Sequence, residues 1–419
     1  MINLSIQKNL ISSADYEQVA NLFRPIFQKI AAGTVERETQ RILPHEQINW
    51  LKEAGFGAVR VPKEFGGQGV SQQQLFQLLI ELATADSNIV QALRGHFAFV
   101  EDRLVAHRDH QQSIWFERFV SGDIVGNAWT EIGAVEIGDV ITRVTSNSQA
   151  KLEVNGQKFY STGTIFADWI DLFAYDEVTD QSVIAAVSTK FKGITIQDDW
   201  DGFGQRTTGS GTLKIDHVEI ERDHIYPFDQ RFKYQTAFYQ VVHLATLTGI
   251  AFSAVETFSE EVRKRTRIFS HGNADLVKDD AQILQVIGKA SSQAFASQAI
   301  TLKTAAALDD AYLSHFETDR QNDHEKNQIA ELESAQGQVV ISDLVLDLTT
   351  KLFNSLGASA STTTKQLDRF WRNARVVSSH NPLIYKEKVV GAWIVNQTEL
   401  PFVWQIGNSP TVKKQHHAA

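Results

Sequence analysis

The stretch "DVITRVTSNSQAKLEVNGQKFYST", Asp139 to Thr162, alternates β-branched with polar residues, whereas the chain on either side has helical spacing. An alternation with a period of two predicts strands, and the Asn155-Gly156 pair inside it predicts a hairpin turn. Further short β-branched and aromatic runs continue to about residue 225, separated by turn residues. The sequence therefore predicts a small antiparallel sheet domain inserted between two helical regions.

The flanking regions repeat apolar residues every three or four positions, which indicates amphipathic helices. In the first region, Pro44 lies near the first turn of one predicted helix, and Ser71 is a plausible N-cap of another. The second region contains three segments much longer than an average helix, which predicts a helical bundle. A charged stretch between two of them, residues 317–328, is expected to be a solvated connection.

These patterns predict a mainly α fold with a central small antiparallel β domain. The predicted divisions are an N-terminal helical domain, a middle β domain, a C-terminal helical bundle and a disordered tail, at residues 1–126, 127–231, 232–405 and 406–419.

Composition excludes several classes of protein. The formal net charge is −10 over 419 residues, without a basic stripe that would bind nucleic acid. No continuous apolar run reaches the roughly 18 residues that cross a bilayer, and the N-terminus lacks the pattern of a signal peptide. We therefore expect a cytoplasmic protein with neither a nucleic-acid nor a membrane partner.

The chain contains no cysteine and one methionine, Met1. The absence of cysteine excludes disulfides, thiolate metal sites and a cysteine nucleophile. One hypothesis is that the protein is made when sulfur is scarce. The "HRDH" stretch, His107 to His110, has a spacing found in metal sites, but no third ligand cluster accompanies it, so we predict no metal site.

Several motifs resemble those of acyl-CoA dehydrogenases. The resemblance spans nearly the whole chain and implies that family's order of a helical domain, a small β domain and a four-helix bundle. The motifs are "VPKEFGGQGVS" (61–71), "AWTEIG" (128–133), "NGQKFYSTG" (155–163), "FGQRTTGSGTLKIDHVEI" (203–220), "LFNSLGASAS" (352–361) and "RFWRNARV" (369–376).

The resemblance also implies a flavin held between the β domain and the last helices. Thr130 and Thr162 would hydrogen-bond the edge of the ring, Tyr160 would stack against it, and Trp129 would lie beside it. Fixed donors of this kind tune the electronics of a redox ring. Asn381 is expected to lie near the flavin from the helical bundle.

Other residues would meet the polar parts of the flavin. Arg206 and Ser210 would contact its phosphate or the pocket rim, and Arg265 or Arg267 could hold a phosphate with two hydrogen bonds. The "RKRTRIF" stretch departs from the motif that reaches a neighbouring subunit's FAD in acyl-CoA dehydrogenases. This departure favours FMN, with FAD as the less favoured alternative.

The general base of the dehydrogenases is missing from its usual place. Alignment of "WRNARVVSSHNP" puts Asn381 at the position of the family's glutamate, and an amide is no base for carbon deprotonation. Some family members take the glutamate from an earlier helix, where this chain has Thr248 and Gly249. Glu256 lies two turns further on and is a poor substitute.

The end of the chain resembles a different branch of the same fold. His380, Pro382 and Lys386 match the histidine motif of two-component flavin monooxygenases, in which a separate reductase supplies reduced flavin. In that branch oxygen adds at the flavin C4a, and the hydroperoxide oxygenates the substrate. The resemblance implies catalytic roles for His96, Asn127, Ser161 (or Thr162) and His380, with Pro382 ending the helix before it.

The leading prediction is therefore a monooxygenase that uses O2 and reduced FMN (FMNH2) to oxygenate a small organosulfur compound, a sulfone or a sulfide, in sulfur acquisition. A separate flavin reductase, acting by diffusion of flavin, and a homotetramer are implied by the resemblance. Three alternatives remain open at this point: an acyl-CoA dehydrogenase with a displaced base, a nitrogen or aromatic hydroxylase of the same branch, and a flavin-fold protein without catalysis.

Overall fold

A computed structural model describes residues 14–132 and 139–404 of the chain. It has the predicted order of helices, sheet and helices, so the predicted fold class is confirmed. The first region consists of α1 (Ala14–Ala32), α2 (Thr34–Gln40), α3 (His45–Glu53), α4 (Gln72–Ala85), α5 (Ser87–Ala92), α6 (Arg94–Ala106) and α7 (Ser113–Val120).

The predicted helix starts in this region are confirmed. Ser71 caps α4 in a capping box, because its side chain accepts from the Gln74 N–H while the Gln74 side chain bonds the Ser71 N–H. Pro44 directly precedes α3.

The described strands form one sheet in the order β6-β7-β3-β2-β4-β5-β8, with β1 paired to β4. They are β1 (Val125–Ala128), β2 (Arg143–Ser146), β3 (Leu152–Lys158), β4 (Trp169–Asp176), β5 (Gln181–Ser188), β6 (Ile194–Ile196), β7 (Leu213–Glu219) and β8 (Ile225–Pro227). The sheet is mixed, because β1 and β2 both run parallel to β4. Strands β3 and β4 are not neighbours in the sheet, because β2 lies between them. The connection from β3 to β4 therefore crosses past β2, and β4 runs parallel to β2.

The predicted hairpin at Asn155-Gly156 is wrong. Strand β3 continues through these two residues, and the turn between β2 and β3 lies at Asn147 to Ala150, where the Ala150 N–H donates to the Asn147 carbonyl. A β-bulge falls between Val154 and Gly156. A Cβ on Gly156 would lie 2.5 Å from the Thr142 hydroxyl oxygen, so the glycine permits a close approach to a neighbouring segment.

The bundle consists of α8 (Gln235–Lys264), α9 (Ala281–His315), α10 (Arg320–Lys351), α11 (Arg369–Ser378) and α12 (Leu383–Asn396). Helix α10 begins inside the segment expected to be a solvated connection, so that expectation is wrong for residues 320–328. The Asp319 carboxylate accepts hydrogen bonds from the Gln321 and Asn322 N–H groups and starts the helix there.

Among the described residues, α8 is the one helix whose length and composition would allow it to cross a membrane. Its sequence contains no continuous apolar run of that length, because polar residues such as His243 and Thr246 interrupt it. Within the structure 72% of its most apolar window is buried, which is the pattern of a central bundle helix.

The sheet sits directly on the first helical region. Gly163 has a φ of 77°, and a Cβ at this position would lie 1.9 Å from the carbonyl oxygen of Ala92 at the end of α5. The Asn127 N–H on β1 donates to the Thr162 carbonyl at 3.3 Å. These contacts bring β1, the segment after β3 and the start of α6 together, and the candidate site lies there.

The predicted domain boundaries stay predictions. The predicted disordered tail, residues 406–419, and Gly133 of the "AWTEIG" motif lie outside the described residues.

Candidate active site

A buried arginine and two histidines form a polar cluster between α6, α8 and the loop that precedes α12. The Arg94 Nη1 lies 2.9 Å from the His380 Nε2 and 3.4 Å from the His243 Nε2. The two imidazole rings are 4.3 Å apart between centroids. The Gln91 side-chain amide also lies 3.4 Å from the His243 Nε2. His380 is therefore a member of a polar group to which four separate segments contribute: α5, α6, α8 and the loop before α12.

The charge of Arg94 has no acidic partner. Five of the six other buried arginines, Arg24, Arg37, Arg60, Arg103 and Arg231, each have a carboxylate within 4 Å. The sixth, Arg369, has none that close among the described residues, but its charge interacts with Glu38 and Asp86. Among the described residues no carboxylate lies that close to Arg94, His243 or His380, although Arg94 is only 5% exposed. Three buried polar atoms of the cluster lack a hydrogen-bond partner: the Arg94 Nε, the His243 Nδ1 and the Gln91 Oε1.

Both histidines of the cluster are held in the neutral form. Burial, and then the neighbouring Arg94 charge, lower the pKa of His380 to about 3. Burial, His380 and Arg94 likewise lower the pKa of His243 well below its ordinary value. His380 keeps one side open to solvent, so water at that side offsets part of its desolvation. At neutral pH each Nε2 can accept a hydrogen bond from the Arg94 guanidinium.

Asn127 is connected to this cluster through Tyr239. Its amide nitrogen lies 3.4 Å from the Tyr239 hydroxyl, and the Arg94 guanidinium lies 5.1 Å from the centre of the Tyr239 ring. Trp129 lies next to them, with its ring 5.8 Å from that of Tyr239 and its indole N–H donating to Asp171. The predicted residues Asn127 and Trp129 therefore lie beside the cluster that includes His380.

The segment after β3 presents an exposed aromatic ring and a pair of hydroxyls. Tyr160 has a φ of 55° and is 52% exposed, and its ring packs edge-on against Trp200. The hydroxyls of Thr162 and Ser210 lie 2.9 Å apart. An aromatic residue in the left-handed region is rare and favours a functional explanation. Thr130 pairs with Phe159 at the start of the same segment.

Ser161 and His96 lie in this region of the chain but are committed to the main chain. The Ser161 hydroxyl is fully buried and donates its only proton to the Gly211 carbonyl at 2.6 Å. The His96 Nε2 lies 2.9 Å from the Gly57 carbonyl oxygen, and its Nδ1 accepts from the Val125 N–H at 3.2 Å. Because these bonds use every polar proton of the two side chains, we leave both residues out of the site proposed below.

The geometry of α6 explains why Arg94, and not the predicted His96, reaches the cluster. Successive residues of an α-helix are about 100° apart, so residues two positions apart point to nearly opposite sides. Arg94 begins α6 and reaches the cluster, whereas His96 points into the aromatic core beside Phe97 and Phe119. Burial lowers the pKa of His96 to about 4, as expected for a core histidine.

The remaining predicted residues lie at several places. The Asn381 side chain lies 3.4 Å from Gln240, next to the cluster on α8. The Arg206 guanidinium donates to the Glu38 carbonyl at 3.2 Å. Arg265 and Arg267 line a separate cavity of about 340 Å³.

The cavity with Arg265 and Arg267 is remote from the cluster. Arg265 follows His243 by 22 positions, which corresponds to about 33 Å along α8. The structure therefore does not bring Arg265 and Arg267 together with the other predicted site residues of the same chain.

Arg94, Tyr239 and His243 belong to the site but are absent from the sequence-based prediction. A signal for Arg94 exists in "IVQALRGHFAFV", residues 89–100, because this charged residue stands in an apolar run with no acidic residue three or four positions away. His243 stands in the apolar "VVHLATL" and has no such signal.

Family models identify both helical regions. The acyl-CoA dehydrogenase N-terminal domain matches residues 13–123, and the acyl-CoA dehydrogenase C-terminal domain matches residues 241–383. Together the two matches cover more than half of the chain. The chain belongs to the acyl-CoA dehydrogenase family.

Three similar proteins carry oxygenase names. The probable FMNH2-dependent monooxygenase SfnC of Pseudomonas putida is 26% identical, over 89% of this chain and 93% of its own. Dibenzothiophene monooxygenase of Rhodococcus erythropolis is 24% identical, over 92% of this chain and 94% of its own. The structure of methanesulfinate monooxygenase MsuC from Pseudomonas fluorescens has a TM-score of 0.79 and 24% identity, over 94% of this chain and 99% of its own.

In this member of the acyl-CoA dehydrogenase family, neither position expected for the glutamate base has a carboxylate. Asn381 occupies the later position, and its side chain lies near that of Gln240. Glu256 follows His243 by 13 positions, about 20 Å along α8, and its carboxylate lies 3.7 Å from Arg263. Glu256 is therefore too far from the cluster to serve as the displaced base.

Proposed function

We propose that this protein is a two-component flavin-dependent monooxygenase that oxygenates a small organosulfur compound with O2 and reduced FMN. The observation that carries the proposal is the composition of the polar cluster, which combines Arg94 with two neutral histidines and has no carboxylate within 4 Å in the part of the chain that the structure describes. Removal of a proton from carbon requires a positioned base with a suitable pKa. The carboxylate that serves as this base in the dehydrogenases is missing, and the lowered pKa values of His243 and His380 make these two imidazoles weak bases. Oxygenation requires proton donors and a site with restricted access to water.

The residues around the cluster fit a flavin. Tyr160 offers a half-exposed ring in a strained backbone conformation, and the Thr162 and Ser210 hydroxyls lie beside it. Together with Thr130 and Trp129, these residues would hold the ring and its polar edge. When bound, reduced FMN supplies the two electrons that activate O2. The FMNH2-dependent name of the SfnC relative supports FMN over FAD.

The polar residues of the cluster have separable roles in this proposal. His380 has a side open to solvent, where it would hold a hydrogen bond near the reacting oxygen and return a proton as water leaves. Arg94 fixes the His380 ring through the 2.9 Å contact and keeps it neutral. Asn127 would orient a polar group from the side of β1, where Tyr239 holds its amide.

The relatives support an organosulfur substrate of one of two kinds. Dibenzothiophene monooxygenase is named for a neutral aromatic compound, and MsuC is named for an organic anion, methanesulfinate. Both names describe sulfur compounds, so oxygenation at or near sulfur is the function that we propose for this chain.

We also propose a homotetramer and a separate flavin reductase that supplies FMNH2 by diffusion. Exposed apolar side chains on α9 and α12 support self-association; they are Leu284, Phe295, Leu313, Ile384, Tyr385, Ile394 and Val395. The cavity beside Arg265 and Arg267 would meet a flavin phosphate of a neighbouring subunit, since it lies too far from the cluster of its own chain. A cytoplasmic location stays a prediction.

The test combines the protein with FMN, NADH and an unrelated flavin reductase under air, and supplies sulfides, sulfones and sulfinates. We expect an oxygenated product that gains one atom of ¹⁸O from ¹⁸O2, measured by mass spectrometry. A product that forms without oxygen, or only from an acyl-CoA, would contradict the proposal.

A further inference from the structure

We infer that Arg94, His243 and His380 form a receptor for the compact anionic head group of the substrate, of the sulfinate type. The inference rests on the proposed function and narrows its substrate class from organosulfur compounds in general to small organic oxyanions. Nothing in the resemblance assigns a role to Arg94 or His243.

The first argument is the uncompensated charge of Arg94. A buried charge without a partner is costly, and most buried arginines of this chain avoid that cost through a carboxylate within 4 Å. Arg94 has instead two neutral imidazoles and a Tyr239 ring. A bound anion would supply the missing countercharge.

The second argument is the edge of the guanidinium that remains free. Arg24 and Arg60 each use the edge formed by Nε and Nη2 to hold both oxygens of a carboxylate, Glu81 and Glu101 respectively. In Arg94 the two histidines occupy Nη1, whereas Nε and Nη2 have no partner among the described residues. The Nε and Nη2 edge, which binds a carboxylate in Arg24 and Arg60, is therefore unpaired in Arg94.

The third argument concerns the two histidines. The His243 Nδ1 is buried without a hydrogen-bond partner, and in the neutral ring whose Nε2 accepts from Arg94 this nitrogen carries the proton. His380, the other neighbour of Nη1, is open to solvent, so a ligand would approach the cluster from that side. The cluster therefore combines unpaired donors with an accessible side, as an oxyanion site requires.

The chemistry of the head group narrows the substrate further. A neutral sulfide or sulfone would leave the Arg94 charge uncompensated, and a sulfonate has no lone pair on sulfur to oxidise. A sulfinate is anionic and still oxidisable. Its oxygenation balances as R–SO2⁻ + O2 + FMNH2 → R–SO3⁻ + H2O + FMN, in which one S–O bond forms, the O–O bond breaks, and sulfur and flavin each lose two electrons.

The test is direct binding, measured by calorimetry on the purified full chain without flavin and again with oxidised FMN. Methanesulfinate is the probe, and dimethyl sulfone is the neutral compound of similar size. We expect methanesulfinate to bind at least ten-fold more tightly than dimethyl sulfone. Arg94→Gln should weaken methanesulfinate binding at least ten-fold, Arg94→Lys should retain part of it, and the exposed control Arg320→Gln should leave it unchanged.

Thermal unfolding of each variant separates lost binding from lost folding. Because Arg94 is an unpaired buried cation, Arg94→Gln should unfold at the same temperature as the unmodified protein or higher. If Arg94→Gln does not fold, Arg94→Lys and His243→Gln take its place, and both should weaken methanesulfinate binding.

Two results of the binding measurements would overturn the inference. One is methanesulfinate binding that is absent under both flavin conditions or no tighter than that of dimethyl sulfone. The other is an Arg94→Gln variant with unchanged affinity. Oxygenation of neutral sulfones by the protein and by Arg94→Gln alike would overturn the inference but leave the proposed function standing. Sulfinate binding that depends on Arg94, without any oxygenated product, would contradict the proposed function but support the inferred anion receptor.

Discussion

The Arg94 guanidinium lies 2.9 Å from the His380 imidazole, although 286 positions separate the two residues. The contact joins the first helical region to the loop that precedes α12, where the resemblance to flavin monooxygenases is most specific. An arginine beside a histidine has a simple electrostatic consequence, because the fixed positive charge opposes protonation of the ring. His380 is therefore a neutral group whose position and proton content depend on Arg94.

Replacement of His380 by alanine should uncouple oxygen use from product formation. We expect NADH and oxygen consumption to continue, hydrogen peroxide to replace the product, and product formation to fall by a factor on the order of 100 or more. Flavin binding should stay close to that of the unmodified protein. Peroxide and product are measured per NADH consumed, with the partly exposed His324→Ala on α10 as the matched control. Normal oxygenation by His380→Ala would contradict the assigned role.

The yield of product per NADH should not show a histidine titration between pH 6 and pH 8. Burial and the Arg94 charge lower the pKa of His380 to about 3, so the ring stays neutral over this range. Arg94→Gln removes one of these two causes, which moves the pKa upward toward the ordinary value. In that variant the yield should fall as the pH drops, because the ring begins to gain a proton. An inflection near pH 6.5 in the unmodified protein that disappears in His380→Ala would refute this prediction.

His96 should contribute to acid sensitivity and not to chemistry. Its pKa is about 4 in the folded protein and roughly 6.5 in the unfolded chain, so between these values the unfolded state binds more protons. The free energy of unfolding should therefore fall as the pH drops from roughly 6.5 toward 4, by up to about 1.4 kcal/mol per pH unit. His96→Gln should reduce this slope and cost about 1–3 kcal/mol at pH 7, since a main-chain group loses its partner.

Urea unfolding at pH 5 and pH 7 measures the slope. The exposed His217 is a suitable comparison, because Glu153 raises its pKa. Its stabilisation is present at low pH and is lost as the pH rises, so His217→Gln should change the slope in the opposite sense. A slope that is unchanged in His96→Gln would show that another group titrates.

Ser161 and Thr162 should separate into a structural and a ligand-binding residue. Ser161→Ala removes the hydroxyl donor of the buried Gly211 carbonyl, which keeps its bond from the Ser161 N–H, so we expect a loss of about 0.5–1.5 kcal/mol in stability with little change in flavin affinity. Thr162→Val keeps the shape of the side chain but removes its hydroxyl from the pair with Ser210. It should weaken flavin binding, measured by fluorescence quenching. The reverse pattern would return Ser161 to the site.

Gly163→Ala should disrupt the packing of the sheet domain against α5. The new Cβ would lie 1.9 Å from the Ala92 carbonyl oxygen, and the residue has a φ of 77°. The adjacent Thr162 must then move, so flavin affinity and stability should fall together. Gly288→Ala on α9 is the control, because its Cβ would meet no atom of its own chain within 4 Å. It should stabilise the helix by roughly 0.5–1 kcal/mol, and thermal unfolding measures both changes.

The order of the three regions follows from local periodicity, which is why it was predictable. A spacing of three to four or of two residues is a property of each segment alone, and the capping residues Ser71 and Pro44 act within one turn. The hairpin at Asn155-Gly156 is wrong for the opposite reason. The same pair that can form a turn can also form a bulge, and the contact of Gly156 with Thr142 decides between the two.

The candidate site was predictable only where a motif holds the residue in place. His380 stands beside Pro382, and Asn127, Trp129 and Tyr160 stand in motifs of the β region. Arg94 and His243 were not predictable in this way, because what distinguishes them is the lack of a nearby carboxylate among the described residues. The absence of a nearby carboxylate, within residues 14–132 and 139–404, is a property of the packed structure and cannot be read from any single segment.

Helix α8 runs without interruption from Gln235 to Lys264, about 45 Å, with His243 in its first half and Arg265 directly after its end. This single helix therefore separates the oxyanion receptor at His243 from the cavity at Arg265, which we assign to the cofactor of a neighbouring subunit. If each subunit completes the flavin site of another, dilution that separates the subunits will release flavin while sulfinate still binds. Cofactor retention would then report on quaternary structure, and substrate affinity on the single chain.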